Sequence, residues 1–150
     1  MASIKPRLAV RGIILIENRL LLVNAWPGAA SDLWCAPGGG VEVGSSLPDN
    51  LIREVHEETG LTVAVGAPCL VNEFHDPARR FHQVDIYFRC TVQEGALSQD
   101  WTDPEGIVNR YRLATRAGLG QLRVKPDSLG DVAWCAENAP LYDPLEPILR

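Results

Sequence analysis

Residues 34–61 read WCAPGGGVEVGSSLPDNLIREVHEETGL, and this stretch decides the fold. Its first part breaks regular structure: Pro37 is followed by Gly38, Gly39 and Gly40. Three glycines in a row permit backbone angles and close approaches that any side chain forbids. The second part carries the marks of a helix over residues 47–59. Ser46 with Asp49 three residues later resembles a capping box, and Pro48 is tolerated in a first turn. Gly60 sits where a left-handed residue ends a helix.

Placed on a wheel at about 100° per residue, Leu51, Val55 and Ile52 form one apolar arc, which must face a core. Glu54, Glu57 and Glu58 form the adjoining arc. Glu54 and Glu58 are a like-charged i, i+4 pair, which costs a helix about 0.2–0.5 kcal/mol. Glu57 and Glu58 also lie in the last turn, where the helix dipole disfavours anions. A solvated face normally mixes signs, but Arg53 is the one formal cation between residues 47 and 59. Three hard oxygen donors on one face are what Mg²⁺ or Mn²⁺ takes, and such an ion removes the repulsion. Arg53 can pair with Glu57 one turn on and hold it.

The glycine loop and the helix together resemble the Nudix box, G-x5-E-x7-R-E-U-x-E-E-x-G-U with U a bulky aliphatic residue. The pattern lies on Gly39–Leu61, with Arg53-Glu54-Val55-His56-Glu57-Glu58-Thr59-Gly60-Leu61 matching its second half. Ser45 stands where the first glutamate belongs. The resemblance implies an α/β (α+β) fold, an α/β/α sandwich around a mixed β-sheet, with residues 1–150 as one domain. It also implies a divalent-metal-dependent hydrolase that cleaves a diphosphate bond in a small nucleoside diphosphate derivative, such as ADP-ribose or a nucleoside triphosphate. Glu54, Glu57 and Glu58 are then the expected metal ligands, with Mg²⁺ or Mn²⁺ as cofactor and the Gly38 carbonyl completing the set. Glu54, Glu57 and Arg53 are the expected catalytic residues, Glu54 as base or third ligand and Arg53 as the group that orients Glu57. Relatives supply a further acid from a later loop, for which Glu105 is the candidate and Asp103 the second choice. Glu42 is the nearby acid that compensates in part for Ser45. Two alternatives stay open: a site without catalysis that binds a nucleotide or ADP-ribose as a sensor, and a prenyl-diphosphate isomerase.

Outward from the box, Arg7–Ile16 and Leu20–Ala25 read as a hairpin around Glu17-Asn18-Arg19. Residues 26–32 read as a loop. Residues 61–65, 70–74, 81–92 and 107–113 read as strands, and 115–122 and 126–137 as helix candidates. Asp76-Pro77-Ala78-Arg79-Arg80 reads as a turn whose Arg79 and Arg80 are candidates for clamping a phosphate. His75 and His82 flank that turn without metal-ligand spacing. His56 faces away from the carboxylates. Trp26 and Trp101 either stack on a base or pack.

The chain has 150 residues, 46% of them hydrophobic and 22% charged, which fits one globular domain. Fourteen basic against 19 acidic residues give a net charge of −5, and no basic tract occurs, so a nucleic-acid partner is not expected. Cys35, Cys69, Cys90 and Cys135 have no paired spacing and read as reduced thiols. The start of the chain lacks the apolar run of a signal peptide, and Glu17, Asn18 and Arg19 interrupt the most apolar early stretch. These features predict a cytoplasmic protein with no membrane contact. A homodimer is left open.

Overall fold

In the computed structural model, residues 4–28 and 31–150 are described. The expected leader-free start and the loop at 26–32 fall partly on residues 1–3 and 29–30, outside the described residues. The chain runs β1 (Arg7–Ile16), β2 (Arg19–Asn24), β3 (Leu33–Cys35), β4 (Gly38–Gly40), α1 (Leu47–Thr59) and β5 (Thr62–Asp76). A 3-10 turn (Pro77–Arg79) leads to β6 (Phe81–Glu94), then β7 (Tyr111–Ala114), α2 (Arg116–Leu119), β8 (Arg123–Val124), α3 (Leu129–Ala133) and β9 (Leu141–Pro147). The main strand order is β8-β3-β2-β1-β6-β5-β9, with β4 paired to β1 and β7 paired to β2.

The sheet is mixed. β1 runs parallel to β6, with Arg7 opposite Gln83 and Ile14 opposite Cys90. It runs antiparallel to β2 and β4. The β1–β2 hairpin closes through Glu17 and Asn18, both at positive φ (51° and 63°), the twist-matched form of a two-residue turn.

Alternation along the strands sends side chains to two layers. On one face Val10, Ile14, Phe88 and Cys90 pack with Leu51 and Val55 of α1. On the other, Ile13, Leu70 and Tyr87 pack with Leu129 and Val132 of α3. This is the expected α/β/α layering. Leu51 and Val55 have no exposed surface, and burying each such side chain contributes about 1.5–3 kcal/mol.

α1 has the predicted ends. The Ser46 hydroxyl accepts from the Asp49 N–H at 3.1 Å, and Gly60 (φ 78°) donates its N–H to the His56 carbonyl. Other boundaries differ. The two strands expected over 61–65 and 70–74 are one strand, β5, with register shifts between Val65 and Leu70. The expected strand 107–113 is shorter and later, Tyr111–Ala114. The expected helices shrink to Arg116–Leu119 and Leu129–Ala133; Gly120 ends the first, and the second begins only after Pro126. Among the described residues, no helix is long and apolar enough to cross a membrane.

Candidate active site

The loop of β4 lies against the acidic face of α1. Gly38 adopts φ 151°, and a Cβ there would collide with the Val10 carbonyl of β1. A Cβ on Gly39 would stand 2.6 Å from the carboxylate of Glu54. These two glycines let the strand and the carboxylate approach each other, which explains residue types that composition alone leaves as a turn. Glu54 and Glu58 are each only 8% exposed, and Gly38 donates its N–H to Oε2 of Glu58 at 3.3 Å.

Burial sets the electrostatics. Desolvation pushes the Glu58 carboxyl up to about 8, against the lowering effect of Arg11 and of the Gly38 N–H. Desolvation raises Glu54 as well, although Arg53 opposes it. Arg53 gathers the acids around it. Its Nη1 donates to Oε1 of Glu54 at 3.0 Å and to Oε1 of Glu57 at 3.5 Å, and its Nη2 to Oδ1 of Asn50 at 3.1 Å. Glu42 stands 3.8 Å away. The expected Arg53–Glu57 contact exists, but the shorter one is to Glu54. Oε2 of Glu57 is buried and has no hydrogen-bond partner.

Among the described residues, no three His, Cys, Asp or Glu side chains form a ready-made metal cage. The reason is visible in the contacts: Arg53 draws Glu54 and Glu57, while Glu58 turns to Gly38. The donor set is nevertheless that of a hard cation: two buried carboxylates, an unpartnered buried carboxylate oxygen and a nearby backbone carbonyl.

A cavity of about 470 Å³ opens over this face. Gly38, Glu42, Arg53, Glu54, Glu58, Asp103 and Glu105 line it, so most of the expected residues come together there. Glu105 is exposed at the rim and raises the carboxyl of Glu54. Asp103 is buried, and its carboxylate accepts the N–H groups of Glu105 and Val108, so it orders the loop. Ser45 is exposed and outside the lining; the capping serine is its neighbour, Ser46. Arg79 and Arg80 line neither this cavity nor the one beside it. Arg79 pairs with Asp76 in the β5–β6 turn, at 3.5 Å. His82 pairs with Glu73 at 2.8 Å. His56 packs edge-on to Trp101, whose Nε1–H donates to the Glu57 carbonyl in the last turn of α1. Trp101 therefore packs.

Sequence reasoning missed Arg7 and Arg11. Both project from the same side of β1 into the cavity wall. Arg11 pairs with the buried Asp85 at 3.5 Å and donates to the Ala36 carbonyl at 3.2 Å. Burial alone would lower its pKa, but Asp85 and neighbouring groups hold it well above the usual value. The available signal was two arginines at a spacing of four in a strand that is otherwise apolar. A second, narrower cavity of about 240 Å³ adjoins the first, and Arg7, Arg11, Ala25 and Cys35 border both.

The family described as the NUDIX domain matches residues 5–130. An ADP-ribose pyrophosphatase of Methanocaldococcus jannaschii is 35% identical over 92 residues, covering 61% of this chain and 54% of that protein. An isopentenyl-diphosphate Delta-isomerase of Cutibacterium acnes is 30% identical over 128 residues, covering 85% and 55% respectively. The chain thus spans about half the length of the curated relatives it matches. Among solved structures, a NUDIX hydrolase from Nitrosomonas europaea superposes with a TM-score of 0.69 at 23% identity, over 91% of this chain and 94% of that one.

Proposed function

Since the chain belongs to the Nudix family, we propose that it hydrolyses a diphosphate bond in a small nucleoside diphosphate derivative, an ADP-ribose-like compound or a nucleoside triphosphate. The whole chain is taken as one domain of this kind. The observation that carries the reading is Glu58, a carboxylate buried beside Glu54 at the glycine loop and pushed up to about 8 by desolvation. Such a pair is expensive to ionise without a strong local positive charge. A divalent cation, Mg²⁺ or Mn²⁺, supplies that charge, and Glu54, Glu57, Glu58 and the Gly38 carbonyl would hold it. When bound, an ion of this class offsets phosphate charge and lowers the pKa of a coordinated water.

The chain's own groups do the rest. Arg53 keeps the carboxylates of Glu54 and Glu57 turned toward one another. Glu54 is the base that takes the proton of the attacking water, or else the third ligand. Arg7 and Arg11 put fixed positive charge on the wall where the diphosphate lies. Glu105 and Glu42, with the loop-ordering Asp103, are the further acids within the same cavity.

The test is a hydrolysis panel of nucleotide diphosphate derivatives in Mg²⁺, in Mn²⁺ and in EDTA. Turnover should vanish in EDTA, and Glu57→Gln or Glu58→Gln should each lower it at least about a hundredfold in folded protein. Undiminished turnover in EDTA, or in both variants, removes the reading. The likeness to an isopentenyl-diphosphate isomerase raises a second reading, so isopentenyl diphosphate belongs in the panel. Conversion of that compound with no nucleotide hydrolysis would replace the first reading with the second.

A further inference from the structure

Between β6 and β7, residues 95–110 form neither helix nor strand. Connections longer than about 12–15 residues with no structure of their own are uncommon in compact domains and tend to carry function. This one brings Glu105 to the rim of the larger cavity. Its β7 end is pinned by Asn24 of β2, which is 2% exposed. Oδ1 of Asn24 accepts the N–H groups of Asn109 and Arg110 at 3.0 Å each, and Nδ2 donates to the Ile107 carbonyl at 2.9 Å. In the middle, the Asp103 carboxylate accepts the N–H groups of Glu105 and Val108 at 2.9 Å each. Those two bonds lie within the loop, so they set its shape and not its place.

Trp101 pins the other side of the loop, and it does so on the box helix itself. Its Nε1–H donates to the Glu57 carbonyl at 2.9 Å, one of the carbonyls that the end of a helix leaves without an internal donor. The indole lies against Gly60, where a Cβ would stand 2.9 Å from the ring. Gly60 therefore has two duties: it ends α1 at φ 78°, and it makes room for the indole. His56 meets the ring edge-on, with centroids 5.4 Å apart. All three contacts fall on residues 56–60, the turn that carries Glu57 and Glu58. Trp101 keeps 38% of its surface in water. What an indole supplies there, and an aliphatic side chain does not, is a donor aimed at the helix end.

We propose that Trp101 is a positioning residue: it holds Glu105 over the carboxylates of α1 and bears on the bound cation and the reaction through Glu105 alone. The proposal rests on the reading above that this face holds a divalent cation. Glu105 lines the same cavity as Glu54 and Glu58, near enough for its charge to raise the Glu54 carboxyl. An exposed glutamate on a free loop loses backbone and side-chain freedom when it settles at a cation, which weakens what it contributes. A loop pinned on both sides has lost most of that freedom beforehand. The anchor also sits on the turn that bears the other acids, so only the short chain from Trp101 to Glu105 separates the loop acid from a fixed point on α1. The rival role for the indole is a plain cap on the helix end. In that role it would bear on Glu57 directly, and Glu105 would be irrelevant to its effect. A double variant separates the two roles.

The experiment measures Mn²⁺ binding by the electron paramagnetic resonance of the free ion, with no nucleotide present. The proteins are wild type, Trp101→Phe, Trp101→Leu, Glu105→Gln, and each Trp101 change combined with Glu105→Gln. Both Trp101 changes keep apolar bulk and remove the donor, and thermal melts confirm that each variant is folded. Glu105→Gln should weaken Mn²⁺ binding about three- to tenfold, and the Trp101 changes about two- to fivefold. The combined variants should bind as Glu105→Gln does alone, since the indole then has nothing to position. In turnover of a nucleotide, Trp101→Phe should lower kcat about three- to thirtyfold with KM within about twofold, and only while Glu105 is present. Mn²⁺ binding that ignores Glu105→Gln overturns the proposal. So do Trp101 variants that bind as wild type does, or that lose as much with Glu105 absent as with it present. Coupling of Trp101 to Glu105 in Mn²⁺ binding, with no turnover of any nucleotide, would sink the hydrolase reading and leave this one standing. EDTA-sensitive turnover without that coupling would do the reverse.

Discussion

Gly38 and Glu58, twenty residues apart, meet through a 3.3 Å hydrogen bond from the glycine N–H to Oε2 of the glutamate. This bond ties the glycine strand to the last turn of the box helix and fixes one carboxylate at the floor of the larger cavity. It also helps the ionised form of Glu58, yet desolvation outweighs it and the carboxyl is pushed up to about 8. The acids are therefore held together before any cation arrives, at a cost that depends on pH.

That cost predicts how metal-free stability varies with pH. The folded-state pKa of Glu58 lies above the ordinary carboxylate value of 4.5, so the folded protein holds a proton that the unfolded chain releases. The stabilisation is fully present below about 4.5, is lost as pH rises toward about 8, and changes little beyond. In EDTA the thermal midpoint should fall by several degrees between pH 5.5 and 8.5, and Glu58→Gln should flatten the fall. Adding Mg²⁺ at pH 8.5 should recover the loss in wild type more than in the variant. An equal pH slope in both proteins would show that Glu58 is not its source.

The two glycines of the loop should behave differently. A methyl at Gly38 meets the backbone of Val10, which cannot move without breaking the β1–β4 pairing. Gly38→Ala should therefore unfold the protein or lower its midpoint by 10 °C or more, on the order of several kcal/mol. A methyl at Gly39 meets only the end of the Glu54 side chain. Gly39→Ala should stay within about 1 kcal/mol of wild type but displace that carboxylate, lowering turnover tenfold to a hundredfold. Denaturant melts and turnover measured side by side decide the matter. Full activity in Gly39→Ala would mean that the position of Glu54 is not critical.

How much of this was legible in the sequence follows from where the determinants lie. α1, its caps and its carboxylate face were readable because helix periodicity and capping are local. The β1–β2 hairpin was readable for the same reason. β9 carries Pro144 and Pro147 at the edge of the sheet, where missing donors are tolerated, so its composition does not announce a strand. β5 was split in two because Gly66, Ala67 and Pro68 look like a break, whereas a bulge carries the strand through them. Arg7 and Arg11 were missed because their partners, Gln83 and Asp85, come from a parallel strand more than seventy residues on. No local rule pairs such residues.

Arg11 gives a third test. Its guanidinium joins Asp85 to the carbonyl of Ala36, just ahead of the glycine loop. Removing one partner of a buried pair costs about 3–5 kcal/mol, because the other charge is left uncompensated. Arg11→Leu should therefore lower the thermal midpoint by roughly 10 °C. Combining it with Asp85→Leu should recover a large part of the loss. Arg11→Lys keeps the charge but loses the forked donation, so it should fold better than Arg11→Leu and still turn over more slowly than wild type. If the double variant is no better than the single one, Arg11 is held there by something other than its charge.

The last test concerns Ser45, where the family pattern has a glutamate. Ser46 rather than Ser45 caps α1, so the serine at 45 has no capping duty to explain it. The Ser45 carbonyl accepts from Nδ2 of Asn50, a bond that a change of side chain leaves in place. Asn50 in turn accepts from Nη2 of Arg53 at 3.1 Å, and Arg53 stands 3.8 Å from Glu42. A carboxylate at 45 would thus enter beside the cation that gathers Glu42, Glu54 and Glu57. It would add negative field at the cavity and compete for Arg53, releasing the other acids for a metal ion. Ser45→Glu should lower the Mg²⁺ concentration for half-maximal turnover about two- to fivefold, the scale of an exposed charge interaction. Glu42→Gln should raise it by a similar factor, because Glu42 lines the cavity and is the nearest acid in the same loop. Magnesium titrations of turnover for wild type and both variants measure these shifts directly. An unchanged or higher half-saturation point in Ser45→Glu would mean that serine is no deficit here, and that Glu42 already supplies the charge the family places at 45.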